Sequence, residues 1–346
     1  MARTKKRSDI YNQPGLFDAI YQENAALNAG LSRREVYDRS AKDKEDTPEE
    51  TIDPFPQDFL ATDNPDRQPP LRYISFGSGS SGNSAYLGTD KFGILIDAGV
   101  DGKTVEKTLR SQGIDMFKVV GIILTHDHHD HSGYIYNILR YHRHITLYCT
   151  PKAMTGLQRH GISRRVRDHH HPIYKEIPFN IKDFRITAFD VSHDGTDNAG
   201  YMIETGKHRF VVATDMGFIG ERAFEYMKQA TALMMESDYD TDMLRTGRYP
   251  EYLKARILSN RGHLSNKQVA DFLLTNWTPT LRHIFLCHLS RDNNSPAKAL
   301  QEAREALLQA GASKVGNGSE DIENRDAPVQ LYALPRFDAS PMFFIR

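Results

Sequence analysis

From Arg72 onward, short apolar runs alternate with polar or glycine-rich breaks, and the period of each run says what it forms. LRYISF, then GSGSSGNS, then AYLGTDKFGILIDAG read as strand, glycine-rich turn, strand, turn, strand. KTVEKTLRSQG (103–113) is spaced as a helix and stops at a glycine, and VVGIILT after it is the continuous apolar run of a buried strand. These make a β-α-β step. SGYIYNILRYHRH is predicted helical, with Tyr134, Ile138 and Tyr141 on one face; ITLYCT is the next strand and PKAMTGLQRHG a short helix. FRITAFDV and AGYMIETG form two strands joined by SHDGTDNAG, and HRFVVATDMG and ATALMMESDYD continue the sheet pattern. TDMLRTGRYPEYLKARIL and LSNKQVADFLLTNW are helical, the second opened by Ser265 with Gln268 three residues on, a capping box. LRHIFLCHL is a strand, Ser295-Pro296 opens the helix AKALQEAREALLQAG, and VQLYAL and PMFFIR close the chain as strands.

Residues 1–70 follow no such period. SAKDKEDTPEETIDPFPQD and DNPDRQPP are charged and proline-rich, so Met1–Pro70 is expected to be a polar, flexible arm, in which LFDAIYQENAALNAGLS and SRREVYDRS have the pattern of short helices. Residues 71–346 then form one catalytic-size domain. The chain has 346 residues, 39% of them hydrophobic, enough for a sizeable core. Lys+Arg 44 against Asp+Glu 45 leaves a net charge of -1, so any nucleic-acid contact must use a local basic face. Neither a signal peptide nor a run of about 18 apolar residues stands out, and a cytoplasmic protein with no membrane contact is expected. Cys149 and Cys287 both fall inside apolar strands and are expected as buried thiols.

Chemistry concentrates in THDHHDHSG, Thr125 to Gly133, at the end of VVGIIL. In an extended segment residues i and i+2 share a face, so His126 and His128 point together, and a turn into a helix at Ser132 is expected to swing Asp130 and His131 to the same pocket. Neutral imidazole and carboxylate suit zinc, manganese or iron. A solvated histidine-rich loop is disfavoured because matching residues recur at later strand ends. Asp215 closes the apolar run HRFVVATD, where a carboxylate is costly unless paired or metal-bound, which makes it the candidate bridging ligand. His288 ends HIFLC and is preferred as the last ligand over His263, which precedes a helix whose dipole favours a phosphate. In Ser78–Ser84, the residues Ser80, Ser81 and Asn83 sit among glycines whose backbone could approach an anion, though a plain hairpin loop reads equally well. Arg164, Arg165 and Arg167 make Gly161–Ile177 the most basic stretch of the domain, read as a phosphate contact or as ordinary surface; His169, His170 and His171 beside them read as surface residues.

H-x-H-x-D-H, with SGSSGNS, SHD, TDMG, GHLSN and CHLSRDNNSP, resembles the metallo-β-lactamase fold and within it the YycJ/WalJ/VicX-type branch, over roughly residues 72–345. The resemblance implies an α/β architecture, an αββα sandwich of two mixed sheets flanked by helices. It also implies His193 as the third histidine of a first site, Asp97 as a carboxylate bracing the metal loop, and His263 as an accessory group near the leaving oxygen. Two divalent ions follow: His126, His128 and His193 around one, Asp130, His131 and His288 around the other, with Asp215 between. The implied activity is exonuclease-like hydrolysis of nucleic acid, with Asp130 orienting the water. A thioester or lactone hydrolase uses the same ligands, and a non-catalytic scaffold would need broken ones. One departure stands out: the family pattern Glu-x-Asn-His-Asp is here Glu236-Ser237-Asp238-Tyr239-Asp240, and a tyrosine in place of that histidine puts the loop's role in doubt.

Overall fold

The structure, a computed structural model, describes residues 70–317, 324 and 326–346. The chain divides into units Met1–Gln68 and Pro69–Arg346, and all elements below belong to the second. The expected arm, Met1–Pro70, lies outside the described residues except for its last position.

Six strands come first: β1 (Leu71–Gly77), β2 (Ser84–Gly88), β3 (Gly93–Ile96), β4 (Val119–Ile123), β5 (Thr146–Cys149) and β6 (His170–Pro172). Between them lie helices α1 (Gly102–Ser111), α2 (His129–Ser132), α3 (Ile135–Tyr141) and α4 (Pro151–Arg159). Next come β7 (Phe179–Ile181), β8 (Phe184–Asp190), β9 (Ala199–Thr205), β10 (His208–Ala213), α5 (Glu221–Met227) and β11 (Ala232–Glu236). The chain continues through α6 (Thr241–Thr246), α7 (Glu251–Ile257), α8 (Asn266–Asn276), β12 (His283–Cys287), α9 (Pro296–Gln309), β13 (Val315–Gly316), β14 (Val329–Ala333) and β15 (Phe343–Ile345). One sheet runs β15-β1-β2-β3-β4-β5-β6 and the other β13-β14-β12-β11-β10-β9-β8-β7.

Strand alternation builds four layers. On β1, Leu71 and Tyr73 point between the sheets while Ile74 and Phe76 point out to the helices; on β12, Phe285 and Cys287 point in while Ile284 and Leu286 point out. The inward set, with Phe210, Val212, Ala232 and Met234, forms the inter-sheet core. The outer face of the first sheet is covered by Val105 and Leu109 of α1, Ile138 and Leu139 of α3, and Leu157 of α4. The outer face of the second is covered by Met227, Val269, Leu273 and Leu307 of α5, α8 and α9. This is the expected αββα sandwich.

Local reasons match the expected elements closely. Ser265 accepts from Gln268 N while the Gln268 side chain accepts from Ser265 N, the complete capping box of α8. Ser295 caps α9, which has Pro296 in its first turn. Three differences have physical causes. The helical turn in the metal loop begins at His129, not Ser132, with His128 as its N-cap in an extended conformation. Tyr141 is 70% exposed, because the buried face of α3 is set by Ile135, Ile138 and Leu139. β6, β7 and β13 are additional to the expected strands; at three, three and two residues they are too short to carry a period.

The parallel pairings decide where chemistry can gather. β3 and β4 run parallel, as do β10, β11 and β12, so their C-terminal ends share one edge of the sandwich. β8 pairs antiparallel with β9, which pairs antiparallel with β10, so β8 also ends there. Asp97, His126, His193, Asp215, Glu236 and His288 all lie at or just past these ends.

Candidate metal centre

Tight exits from the strands aim the side chains. Asp97, Asp215 and His288 adopt positive φ angles of 60°, 50° and 54°, three of the five such non-glycine residues among those described. Such geometry costs of order 1 kcal/mol or more per residue and persists where surrounding contacts enforce it. Gly99 matters for a related reason: a Cβ there would collide with Asp130 O, so only glycine lets the Asp97 loop lie against the metal loop.

The ligand atoms of His126, His128 and His193 lie within 4.8 Å of one another, and so do those of Asp130, His131 and His288. Between the two triads, Asp215 Oδ2 is 3.4 Å from His131 Nε2, 3.6 Å from His288 Nε2, and 3.8 Å from the Nε2 atoms of His126 and His193. One carboxylate oxygen thus faces four imidazole nitrogens. Asp130 Oδ2 lies 3.5 Å from His131 Nε2 and 3.6 Å from His288 Nε2.

These donors fit divalent cations. His193 Nε2 and His288 Nε2 are buried and make no hydrogen bond, a costly state for an imidazole nitrogen unless something else satisfies it. Two ligand atoms each about 2.1 Å from a tetrahedral ion sit about 3.4 Å apart, close to the separations around Asp215. Electrostatics agree. Burial drives His126 well below its ordinary value and His193 to about 3, leaving neutral rings with a lone pair. Burial opposes charge on His131 and His288 too, but Asp215 together with Asp130 pulls both well above the ordinary value. Burial likewise opposes the charge on Asp215, yet His288 and His131 hold it well below the usual carboxylate range. In this balance protons stand where cations would bind, as expected when metal binding displaces them.

A ring of acids orients the histidines. Asp97 Oδ2 lies 2.8 Å from His131 Nδ1 and accepts from Thr125 Oγ1, while its Oδ1 accepts from Thr125 N. Asp194 Oδ1 lies 3.4 Å from His128 Nε2, and Asp194 Oδ2 accepts from Arg256 Nε at 2.7 Å. His128 Nδ1 is the nitrogen turned to His126, 3.1 Å from its Nε2. Asp127 is fully buried and accepts from Thr196 N and Oγ1. Glu236 Oε1 accepts from His263 Nδ1 at 2.5 Å, its Oε2 from Met216 N and Leu264 N. Asp238 Oδ2 is 3.3 Å from His288 Nδ1. Burial would lower His263, but Glu236 and Asp238 raise it to about 9.

The loop after β11 is therefore built into the site despite Tyr239, which is itself buried and bridges to Ser265. Asp194 is a site residue with no mark in the sequence, whereas Glu236 and Asp238 belong to the altered loop whose role the sequence leaves in doubt. Glu236 carries the same signal as Asp215, an acid closing a buried strand; Asp194 carries none beyond its place next to His193.

Of the expected substrate contacts, Asn83 reaches the cluster: its Nδ2 donates to Asp130 Oδ2 and lies 2.9 Å from His131 Nε2. Ser80 accepts from half-buried Arg336, whose guanidinium also donates to Leu289 O beside His288. Ser81 is exposed. Arg164, Arg165 and Arg167 are not brought into the cluster; they stand exposed on the 3-10 turn Arg164–His169, where Arg167 donates to Gln158 Oε1. His169 and His170 turn a ring nitrogen to the carbonyls of Ile145 and Cys149, and His171 is exposed. Cys149 and Cys287 are buried free thiols. Among the described residues no helix is long and apolar enough to cross a membrane.

Comparison with known proteins gives the family and the fold. The family described as "Beta-lactamase superfamily domain" matches residues 93–276. Exodeoxyribonuclease YycJ of Bacillus anthracis is 32% identical over 241 residues, covering 70% of this chain and 90% of its own. Exodeoxyribonuclease WalJ of Streptococcus pneumoniae is 32% identical over 243 residues, covering 69% and 89%. In fold, the chain is similar to the metallo-beta-lactamase fold protein YhfI from Bacillus subtilis (TM-score 0.56, 14% identity, 79% of this chain and 99% of that one). It is also similar to PqqB from Methylobacterium extorquens (TM-score 0.53, 16% identity, 78% and 99%).

Proposed function

Since the chain belongs to the beta-lactamase superfamily and, within that fold, to the YycJ/WalJ type, we propose that it is a metal-dependent phosphodiesterase acting as an exonuclease on nucleic acid. The observation that carries this is Asp215 Oδ2 set between two ligand triads. The donor set suits two divalent ions, zinc, manganese or iron, with Asp215 shared. Ions held there would supply Lewis acidity toward a phosphoryl oxygen and lower the pKa of water toward neutrality.

The chain's own groups do the rest. Asp130 orients the attacking water and accepts its proton at Oδ2; burial opposes its charge, but His131 and His288 hold it well below the usual carboxylate range, so it is ionised at neutral pH. His263, protonated at neutral pH, gives its Nε2 proton to the departing oxygen, because Nδ1 is committed to Glu236. Asn83 holds Asp130 in place through Nδ2.

The test is a substrate panel. Metal-loaded protein is incubated with 5′-labelled single- and double-stranded DNA, RNA, bis(4-nitrophenyl) phosphate and a thioester. Mononucleotide release from an oligonucleotide is expected; cleavage of the thioester alone would reject the assignment in favour of a thioester hydrolase.

A further inference from the structure

Cations drawn into a fold normally rest against acids, and Arg336 does not. It follows β14 and is half-buried, yet among the described residues no carboxylate lies within 4.0 Å of its guanidinium. The two acids that act on it from farther off are engaged elsewhere: Asp238 Oδ2 lies 3.3 Å from His288 Nδ1, and Asp292 Oδ2 accepts from the Tyr249 hydroxyl at 3.1 Å. Burial pushes the guanidinium below its ordinary value against the pull of those acids, and its Nε is buried without a hydrogen bond. A charge placed this way destabilises the fold unless an anion joins it in the working protein.

The guanidinium is also held in place. Nη1 donates to Leu289 O at 2.7 Å and Nη2 to Ser80 Oγ, while the Phe337 ring centroid lies 5.4 Å from the guanidinium carbon. Leu289 directly follows His288, whose N donates to Ser78 Oγ at 2.9 Å. The fork is thus fixed within one residue of a ligand of the second triad, with N–H groups to spare, since a guanidinium carries five donors and these bonds use two.

Ser80 belongs to the turn Gly79–Gly82, closed by Gly82 N donating to Gly79 O at 2.9 Å. That bond leaves the N–H groups of Ser80 and Ser81 at the tip, where Ser81 is exposed. A Cβ on Gly79 would stand 2.9 Å from Arg336 Nη1, so the turn lies directly against the guanidinium. Gly79 N in turn donates to Asn83 Oδ1 at 2.8 Å, and Asn83 Nδ2 donates to Asp130 Oδ2. One loop therefore carries Asn83 to the ligand set and the Ser80–Ser81 tip to Arg336.

We propose that Arg336 and the tip of the Gly79–Gly82 turn bind the phosphate that neighbours the scissile one in the substrate strand. The proposal rests on the nuclease reading and adds a second phosphate contact to it. With the scissile phosphate at the two triads, Arg336 sets the register of the strand from the His288 side. A guanidinium fork beside two backbone N–H groups matches phosphate oxygens, and such contacts position the backbone without reading a base. A neutral side chain could brace Leu289 O and Ser80 Oγ equally well without burying a charge.

Isothermal titration calorimetry of the metal-loaded full chain with thymidine 3′,5′-bisphosphate and with the 3′- and 5′-monophosphates tests this. Wild type should bind the bisphosphate roughly tenfold or more tightly than either monophosphate. At equal metal content, Arg336→Gln should abolish that advantage while still binding a monophosphate. Arg336→Lys, with a point charge in place of the fork, should recover part of it, and Ser80→Ala, which leaves the charge, should lose less than Arg336→Gln. On DNA, Arg336→Gln should lower kcat/KM roughly tenfold or more beyond any loss on bis(4-nitrophenyl) phosphate, which has no second phosphate. Duplexes ending in a 5′-phosphate or a 5′-hydroxyl separate the two sources of the bound group: a defect confined to phosphorylated ends assigns the terminal monoester, an equal defect an internal diester, and either result supports the subsite. A bisphosphate advantage absent from wild type, or undiminished in Arg336→Gln, overturns the proposal. So does an equal loss for all three nucleotides and for both substrates, which would make Arg336 a strut for the Asn83 loop. Failure of wild type to cleave any nucleic acid, with the bisphosphate advantage still dependent on Arg336, would remove the nuclease reading and leave the phosphate subsite standing.

Discussion

His263 Nδ1 donates to Glu236 Oε1 across 2.5 Å, and both side chains are buried against His288, whose ring lies parallel to that of His263 with centroids 5.1 Å apart. Glu236 thus fixes the orientation and charge of a histidine that touches the ligand set. If His263 is the proton donor, His263→Ala should retain its metal and lose roughly 10²–10⁴-fold in kcat, and Glu236→Gln should follow it in the same direction. Metal analysis and steady-state kinetics on the same preparations decide this. Loss of metal in His263→Ala would make it a ligand; full activity would remove it from the mechanism.

On the opposite side of the pocket, Arg256 holds Asp194 so that Oδ1 faces His128 Nε2, while His128 Nδ1 faces His126. A proton kept on Nε2 leaves the Nδ1 lone pair for a cation. Asp194→Asn should therefore weaken metal binding about 10–100-fold without abolishing it. His128→Ala should lose metal and activity together. Competition with a chromophoric chelator separates the two, and an unchanged affinity in Asp194→Asn would show that the pair only packs the loop.

Asp97 serves both the backbone and His131. Its φ of 60° is a conformation that Asn adopts nearly as readily as Asp, whereas Ala there adds about 1 kcal/mol of strain. Asp97→Asn should fold with nearly wild-type stability in chelator yet bind metal about 10–100-fold more weakly, because His131 Nδ1 loses its charged acceptor. Asp97→Ala should show both defects. Equal metal affinity in wild type and Asp97→Asn would confine Asp97 to holding the loop.

Much of this molecule is legible in its sequence because buried strands announce themselves. HRFVVATD and HIFLCH end in residues that water would normally keep, and both ends lie in the pocket. ALMME ends the same way, but the altered residues after it, Tyr239 above all, obscure the significance of Glu236. Helical spacing offers Tyr141 an apolar face of α3 that the neighbouring Ile135, Ile138 and Leu139 already fill, so the period misleads there. Asp194 and Arg336 cannot be found by any period. Their roles come from chain crossings, of Asp194 with Arg256 and of Arg336 with Ser80, that only the packed fold creates.

His283 opens β12 with its ring parallel to Phe285 and Tyr332, and its Nδ1 is buried without a hydrogen bond. Burial, aided by the nearby charges of Arg282, His208 and Arg346, pushes it from 6.5 to about 4. A base depressed in the folded state is protonated first in the unfolded chain, so between about pH 6.5 and pH 4 the unfolded state binds the extra proton and stability falls as pH falls. Integrated to pH 5, the loss is about 2 kcal/mol relative to pH 7.5. His283→Phe keeps the stacking and removes the titration, so it should gain about 2 kcal/mol over wild type on going from pH 7.5 to pH 5. Urea unfolding at the two pH values measures this directly, since the other histidines, apart from the neighbouring His208, contribute equally to both proteins. A difference between variant and wild type that does not change with pH would mean that His283 is already paired with water and titrates normally.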